Sequence, residues 1–206
     1  MKRLPRFVVC GVMLWGLIVA APRTVAQVPL ASATGPEIEG HGGFEYLGQQ
    51  VPSASTVPMY GVDSGLTFGM SKHLGVRLDL GYARAWNVFA SRYHSDILSY
   101  MAGPVIYPMR TRHLSPYAEL LLGGARVTGA TPDGQAGYVR GYANEFAWAG
   151  GGGVEIRTSP TFSLRVGADY MHTSYFDPAQ ALSGEGNIRG VVSFVYYLGG
   201  RRREER

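Results

Sequence analysis

Three polar side chains near the C-terminal end of the chain have the types that acyl-transfer enzymes use. His172 and Ser174 are two residues apart, so they would share one face at the end of a β-strand, and Glu185 follows eleven residues after Ser174. A serine hydroxyl beside a histidine base, with a carboxylate that orients the base, can attack a carbonyl carbon. Histidine and serine are also ordinary interfacial residues. We therefore predict a non-enzymatic protein and keep this trio as the alternative.

Charged residues elsewhere in the chain recur at alternate positions, among glycines and alanines. In the segment 60–86, for example, Asp63, Arg77 and Asp79 fall on odd positions. A face of small residues with scattered charges suits a narrow interior, where an unpaired charge is costly and pairing recovers much of that cost. We predict an ion network that acts as a structural plug, and a narrow path for water or ions is the alternative. The predicted members share the odd phase: Glu39, His41, Glu45, Asp63, Arg77, Asp79, Glu119, Glu155, Arg157, Arg165, Asp169 and Arg189.

Neither a metal site nor a cofactor site is indicated by the sequence. The chain has no metal-ligand spacing, phosphate-binding loop or dinucleotide fingerprint. Its single cysteine, Cys10, lies in an N-terminal apolar run that we expect to be removed, which excludes disulfides and cysteine metal sites in the mature chain. Carboxylate pairs favour hydrolase chemistry only where a cleft exists, and none is indicated. We expect no metal and no cofactor.

The segment 60–86 also indicates which elements hold these residues. Its bulky apolar residues occupy even positions on both sides of a short polar break, Ser71–His73, and this period of two predicts a β-hairpin. The even face is large and apolar, with Tyr60, Tyr82 and Trp86 toward the strand ends, where aromatic girdles lie at membrane interfaces. We therefore predict that the even face meets lipid and that the odd face fills the lumen of a membrane barrel.

The same alternation predicts an all-β chain of eight antiparallel strands that close as an up-and-down transmembrane β-barrel, a meander. Long connections, which would face outward, alternate with short periplasmic turns, and an even number of strands would leave both chain ends in the periplasm. The predicted strands are Glu37–Tyr46, Tyr60–Met70, Leu74–Trp86, Asp96–Met109, Ser115–Val127, Glu145–Arg157, Phe162–Thr173 and Asn187–Gly199. The long connections are 47–58, 87–95, 128–144 and 174–186. Pro104 and Pro108 leave the phase of the fourth strand unclear.

The N-terminal segment 1–26 is predicted to be a secretory signal peptide, because basic residues precede an apolar run, Phe7–Ala21, that is too short to span a bilayer. Cleavage after Ala26 would remove four basic residues, so that 19 basic residues become 15, against 15 acidic ones. This balance gives no reason to expect a nucleic-acid partner. The predicted divisions that follow are a flexible lead, 27–36, the barrel, 37–199, and a charged periplasmic tail, 200–206.

Two arginines on the even face lie near the outward ends of their strands. A guanidinium at that depth can donate two parallel hydrogen bonds to a phosphate of lipopolysaccharide. We predict that Arg84, Trp86 and Arg126 contact lipopolysaccharide in the outer leaflet. The alternative interpretation is that the two arginines are scattered surface charges that are simply solvated.

A chain of eight strands behind a signal peptide, ending in GVVSFVYYLGG, resembles the small eight-stranded outer-membrane barrels of the outer-membrane protein A-like β-barrel domain type. The resemblance covers 37–199 and implies localisation in the outer membrane, contact with its lipid, and insertion by the barrel-assembly machinery. Tyr196 and Leu198 occupy the apolar positions that this machinery reads. Ser193 stands where the family commonly has glycine, and the chain continues into a charged tail. No peptidoglycan-binding domain follows, so that activity is not implied.

The spacing of His172 and Ser174 is also similar to that of lipid A deacylases, which are eight-stranded barrels too. Tyr175 follows the serine, where those enzymes have asparagine. We therefore expect a monomer with a structural role in the envelope or a binding surface on its outward loops. The sequence does not identify a loop partner, and a minimal pore is a further alternative.

Overall fold

The computed structural model describes residues 37–50, 56–87, 94–111, 113–132, 138–173 and 185–199. The predicted signal peptide, lead and tail lie outside these residues. The described residues contain no helix long and apolar enough to cross a membrane. Their strands are β1 (Ile38–Gln49), β2 (Val57–Gly69), β3 (Leu74–Trp86), β4 (His94–Ile106), β5 (Leu114–Pro132), β6 (Tyr138–Arg157), β7 (Phe162–Thr173) and β8 (Glu185–Gly199).

Each strand pairs antiparallel with the next, and β8 returns to pair with β1, so the sheet forms a closed barrel. The closing ladder pairs Phe44 of β1 with Val192 of β8. Closure matters in lipid, because it leaves no strand edge with unpaired backbone groups. The predicted eight-stranded up-and-down barrel is confirmed.

Side chains alternate between the two surfaces of the sheet. Odd-numbered residues point into the barrel and even-numbered residues point outward: Arg189 is 1% exposed, whereas Phe44 is 76% exposed. On β4, whose phase was unclear from the sequence, Ile97, Ser99 and Met101 are buried inside. The odd face therefore fills the lumen, and the even face carries large apolar side chains, as the segment 60–86 predicted.

The sequence predicts its longest connection at 128–144, and this prediction is wrong. β5 continues to Pro132 and β6 begins at Tyr138, and the two strands pair from Thr128 opposite Tyr142 to Pro132 opposite Tyr138. The prediction gave weight to the glycines and the proline, but the stretch also contains β-branched and aromatic residues that favour strands. Pro132 lies beyond the last pair of β5 with β4, Gly129 opposite Ser95, so it stands on a strand edge where a missing N–H is tolerated. The connections are consequently more even in length than predicted.

The barrel has two distinct ends. The terminal end is the one at which Ile38 and Gly199 lie, together with the connections 70–73, 107–113 and 158–161. The distal end carries the connections 50–56, 87–93, 133–137 and 174–184. The β5–β6 hairpin extends beyond its neighbours at the distal end, because β4 last pairs with β5 at Ser95 opposite Gly129, and β7 last pairs with β6 at Thr173 opposite Ala147.

Candidate functional site

Three buried arginines organise the lumen, and Arg189 on β8 makes the most contacts with carboxylates. Its Nε and Nη2 donate to Oδ2 of Asp169 at 3.0 and 2.7 Å, and its Nη1 donates to Oδ1 of Asp79 at 2.7 Å. Asp169 is its neighbour on β7, whereas Asp79 lies on β3. One guanidinium therefore connects three strands through charge-assisted hydrogen bonds.

Arg165 on β7 has the same role nearer the terminal end. Its Nη2 donates to Glu39 at 3.1 Å and to Glu155 at 2.9 Å, so it joins β7 to β1 and β6. The hydroxyl of Tyr197 also donates to Glu155. Arg157, the predicted member at the end of β6, lies with its guanidinium 5.1 Å from the centre of the Tyr197 ring.

Arg77 on β3 is the third buried arginine. Its Nη1 donates to Glu119 on β5, and its Nε donates to the hydroxyl of Thr67 on β2 at 3.3 Å. Arg77 and Arg165 both lie over the ring of Tyr117, at 4.9 and 5.4 Å from its centre. The π face of an aromatic ring attracts cations. Tyr117 therefore stabilises both guanidiniums, which the carboxylates alone contact only in part.

Arg110 closes the network at the terminal end, and the sequence did not predict it because it lies in a connection without alternation. Its Nη1 donates to Glu37 at 2.7 Å, its Nη2 lies 3.6 Å from Oε1 of Glu39, and its guanidinium lies 3.7 Å from the centre of the Tyr107 ring. Burial lowers the pKa of Arg110, but Tyr107 and the two glutamates raise it by more, so the pKa lies above its ordinary value. The guanidinium remains charged and caps this end of the lumen.

Acidic side chains outnumber basic ones among the buried charges of the lumen. Among the described residues, Glu45 and Asp63 form no ion pair with an arginine, and Glu45 Oε2 and Asp63 Oδ2 are buried without a hydrogen-bond partner. The structure thus brings the predicted network together but pairs it incompletely. The buried carboxylates are Glu39, Glu45, Asp63, Asp79, Glu119, Glu155 and Asp169, and the buried guanidiniums are Arg77, Arg165 and Arg189.

An apolar layer lies beside the ion network in the lumen, toward the distal end, and this layer was not predicted. A signal for it existed, because Leu47, Leu121 and Met171 continue the odd phase of the charged residues along β1, β5 and β7. An ion in such a layer would lose its water without gaining ligands. The layer consists of Leu47, Met59, Ala83, Ala85, Ile97, Met101, Leu121, Ala125, Val127, Ala147, Ala149 and Met171.

On the outer face, the guanidinium of Arg84 is already engaged within the protein. Its Nε and Nη2 donate to the two carboxylate oxygens of Asp96 on β4 at 2.5 and 2.7 Å. This bidentate arrangement is the one that the sequence assigned to a lipopolysaccharide phosphate. Arg126 lies 4.6 Å from the centre of the Tyr142 ring, and Trp86 is 62% exposed. Arg126 is therefore better placed than Arg84 to meet an external anion.

His172 lies on the outer face of β7, with its imidazole stacked on the indole of Trp148 at a centroid distance of 5.5 Å. Ser174 lies outside the described residues. The described part of Glu185 is its backbone, which pairs with Thr173. The acyl-transfer trio therefore stays a prediction.

A family model described as the outer membrane protein beta-barrel domain matches residues 15–194. This chain belongs to that family. No curated protein matches the chain in sequence. Membership in the family places the barrel in the outer membrane, so the even face is the surface that meets lipid.

Several solved outer-membrane proteins have a similar fold. The attachment invasion locus protein Ail of Yersinia pestis is 16% identical, covering 79% of this chain and 98% of its own, with a TM-score of 0.53. Neisserial surface protein A is 10% identical over 80% and 97% of the two chains, with a TM-score of 0.57. OprG of Pseudomonas aeruginosa is 14% identical over 81% and 97%, with a TM-score of 0.50. Identities this low show the fold alone.

Proposed function

We propose that this protein is a sealed, non-enzymatic barrel of the outer membrane that acts through the surface at its distal end. The observation that supports this function is the filled lumen, in which an ion network and an apolar layer lie next to each other among the described residues. Transport would need a hydrated path past both the network and the apolar layer. Binding needs only the connections at one end of a rigid scaffold, which is where barrels commonly carry recognition.

The proposal requires the distal end to face the cell exterior, and single cysteines can test this. The mature chain is expected to contain no cysteine, because Cys10 lies in the predicted signal peptide. Gln50 is exposed at the distal end, and Lys72 is exposed at the terminal end. The two sites therefore form a matched pair of reporters on opposite sides of the membrane.

In intact cells, a membrane-impermeant maleimide should label a Gln50→Cys variant and should label Lys72→Cys only after the outer membrane is permeabilised. The wild-type protein, without a mature cysteine, is the control for background labelling. Labelling of Lys72→Cys alone in intact cells would mean that the barrel is inverted, and the proposed binding surface would then face the periplasm.

We also propose that Arg126, Trp86 and Tyr142 contact lipopolysaccharide on the outer face. The stacking of Arg126 on Tyr142 holds a cation among exposed aromatic side chains near the distal end. Aromatic rings favour the membrane interface, and a guanidinium is suited to phosphate. Arg84 would contribute less, because its donors already bind Asp96.

An Arg126→Glu variant should carry at most about half of the lipopolysaccharide that copurifies with the wild-type barrel, since it replaces attraction to phosphate by repulsion. Lys72→Glu, which makes the same charge reversal at the terminal end, should leave the amount unchanged. The measurement is lipopolysaccharide per mole of purified barrel. Equal lipid content in Arg126→Glu and the wild type would contradict the proposed contact.

A further inference from the structure

Three potential metal ligands from three neighbouring strands meet inside the barrel. His41 of β1, Asp63 of β2 and Asp79 of β3 are all buried, and one ligand atom from each lies within 4.8 Å of the others. Gly65 of β2 stands between His41 and Asp79 in the strand register. A Cβ there would lie 2.7 Å from Cε1 of the imidazole. The absent side chain therefore lets the imidazole reach across β2 toward Asp79.

The distances within this cluster are long for hydrogen bonds. His41 Nε2 lies 3.4 Å from Asp63 Oδ1 and 3.7 Å from Asp79 Oδ2. An N–H···O hydrogen bond spans about 2.7–3.2 Å. Two ligands that bind one tetrahedral zinc ion at about 2.0–2.2 Å are separated from each other by roughly 3.3–3.6 Å. The separation of His41 from Asp63 lies within this range and that of His41 from Asp79 lies just above it, so both are closer to the edges of a metal site than to direct hydrogen bonds.

Two polar atoms of the cluster are buried without a hydrogen-bond partner among the described residues. They are Nδ1 of His41 and Oδ2 of Asp63, and both side chains are 2% exposed. A buried carboxylate oxygen without a partner is costly, and a metal ion is one of the groups that can satisfy it. The cluster also adjoins an internal cavity lined by His41, Asp63, Asp79, Asp169 and Arg189, where a water could serve as a further ligand.

Four carboxylates and three guanidiniums line the cavity beside the cluster, namely Asp63, Asp79, Glu119 and Asp169 with Arg77, Arg165 and Arg189, so the acids are in excess. Asp79 and Asp169 share the single guanidinium of Arg189, and Glu45, two residues from the partner of Asp63 on β1, forms no ion pair with described residues. Arg189 binds Oδ1 of Asp79, which leaves Oδ2 directed at His41. A hydrogen bond to the second oxygen of a ligating carboxylate is a common way to orient it. Arg189 thus orients Asp79 and does not occupy the position of a cation within the cluster.

We propose that His41 Nε2, Asp63 and Asp79 bind one divalent transition-metal ion, with zinc as the best match. One imidazole and two carboxylates form a mixed nitrogen and oxygen donor set that suits such ions, and two carboxylates cancel the charge of a dication. Because the proposed lumen is sealed, the ion enters while the barrel folds, before closure of the sheet encloses the site. Its role is structural, since it joins β1, β2 and β3 around Asp63, an acid that no arginine pairs among the described residues.

The full chain should be purified without a histidine tag, unfolded in urea with a chelator, and refolded into detergent with Zn²⁺ or Co²⁺. After removal of free metal, elemental analysis should give one zinc per wild-type barrel. Co²⁺ should give the visible absorption of a four- or five-coordinate site with nitrogen and oxygen ligands. Zinc should also raise the midpoint of thermal unfolding.

Asp63→Asn and His41→Gln should each lower zinc affinity by about 100-fold or more, because each removes a direct ligand and even the outer-shell partners of metal ligands contribute about 10–100-fold. Glu155→Gln, which replaces a buried carboxylate bound by Arg165 outside the cluster and its cavity, is the matched control and should retain one equivalent of zinc. If the ligand variants fail to refold, the wild-type metal content and Co²⁺ spectrum decide. A metal-free wild-type barrel, or full metal content in Asp63→Asn, would overturn the proposal. In that case protons shared between the buried carboxylates, and not a metal ion, would neutralise them.

Discussion

Arg189 illustrates how this barrel holds charge inside a membrane protein. It is 1% exposed, and its three hydrogen bonds to Asp79 and Asp169 have donor–acceptor distances of 2.7–3.0 Å. A buried ion pair adds little stability compared with apolar side chains in place of both partners. Removal of one partner alone is costly, because it leaves a buried charge uncompensated. Stability should therefore depend more on which partner is removed than on the number of ion pairs.

Replacement of Arg189 by alanine should lower the free energy of unfolding by about 3–5 kcal/mol, because two buried aspartates lose their cation. Arg126→Ala, the matched control on the outer face, should cost about 1 kcal/mol or less, since it removes an exposed contact with Tyr142. Urea unfolding in detergent micelles, followed by tryptophan fluorescence, measures both. Equal losses in the two variants would refute a stabilising lumen network.

Among the strands, β5 and β6 depart most from what the sequence predicts. Gly129 has a φ of +123°, and it lies where β5 separates from β4 and continues with β6 alone. A side chain at this position would be strained by the backbone conformation and would meet the carbonyl oxygen of His94. Its direct partner on β6 is Gly141, where a Cβ would have no atom within 4 Å.

Gly129→Ala should therefore lower the free energy of unfolding by more than about 1 kcal/mol, because alanine is disfavoured at positive φ. Gly141→Ala, at the paired position, should change it by less than about 0.5 kcal/mol. The same urea titration compares the two variants. If both had the same effect, the positive φ of Gly129 would not be a feature that the hairpin depends on.

The strands were largely predictable where alternation is unbroken, and less so where glycine and proline interrupt it. β3 and β7 have the predicted bounds, because all but one of the even-numbered residues in each strand are bulky and apolar or aromatic, the exceptions being Arg84 and Ala168. The hairpin beyond Thr128 was missed because glycine and proline suggested a loop. Contacts across the lumen were not predictable, because Arg189 and Asp79 are 110 residues apart and meet only through the stagger of the closed sheet.

For the molecule as a whole, the lumen divides into two layers with different chemistry. Among the described residues, one layer holds seven buried carboxylates with three guanidiniums and reaches Glu45 on β1 and Arg189 on β8, and the other is the apolar layer that includes Leu47, Met59 and Met171. Alternation predicted the charged layer, but it does not show how far along each strand the charges extend. A water-filled channel would need both layers to open, so the sealed lumen is the central claim about function.

Single-channel recording on the purified wild-type barrel in planar lipid bilayers tests this claim most directly. Refolding should be verified in the same sample, so that a silent bilayer contains inserted and folded protein. The expected result is no discrete conductance steps above the background of the lipid at any applied voltage. Reproducible steps from folded wild-type protein would contradict a sealed lumen and would favour the minimal pore.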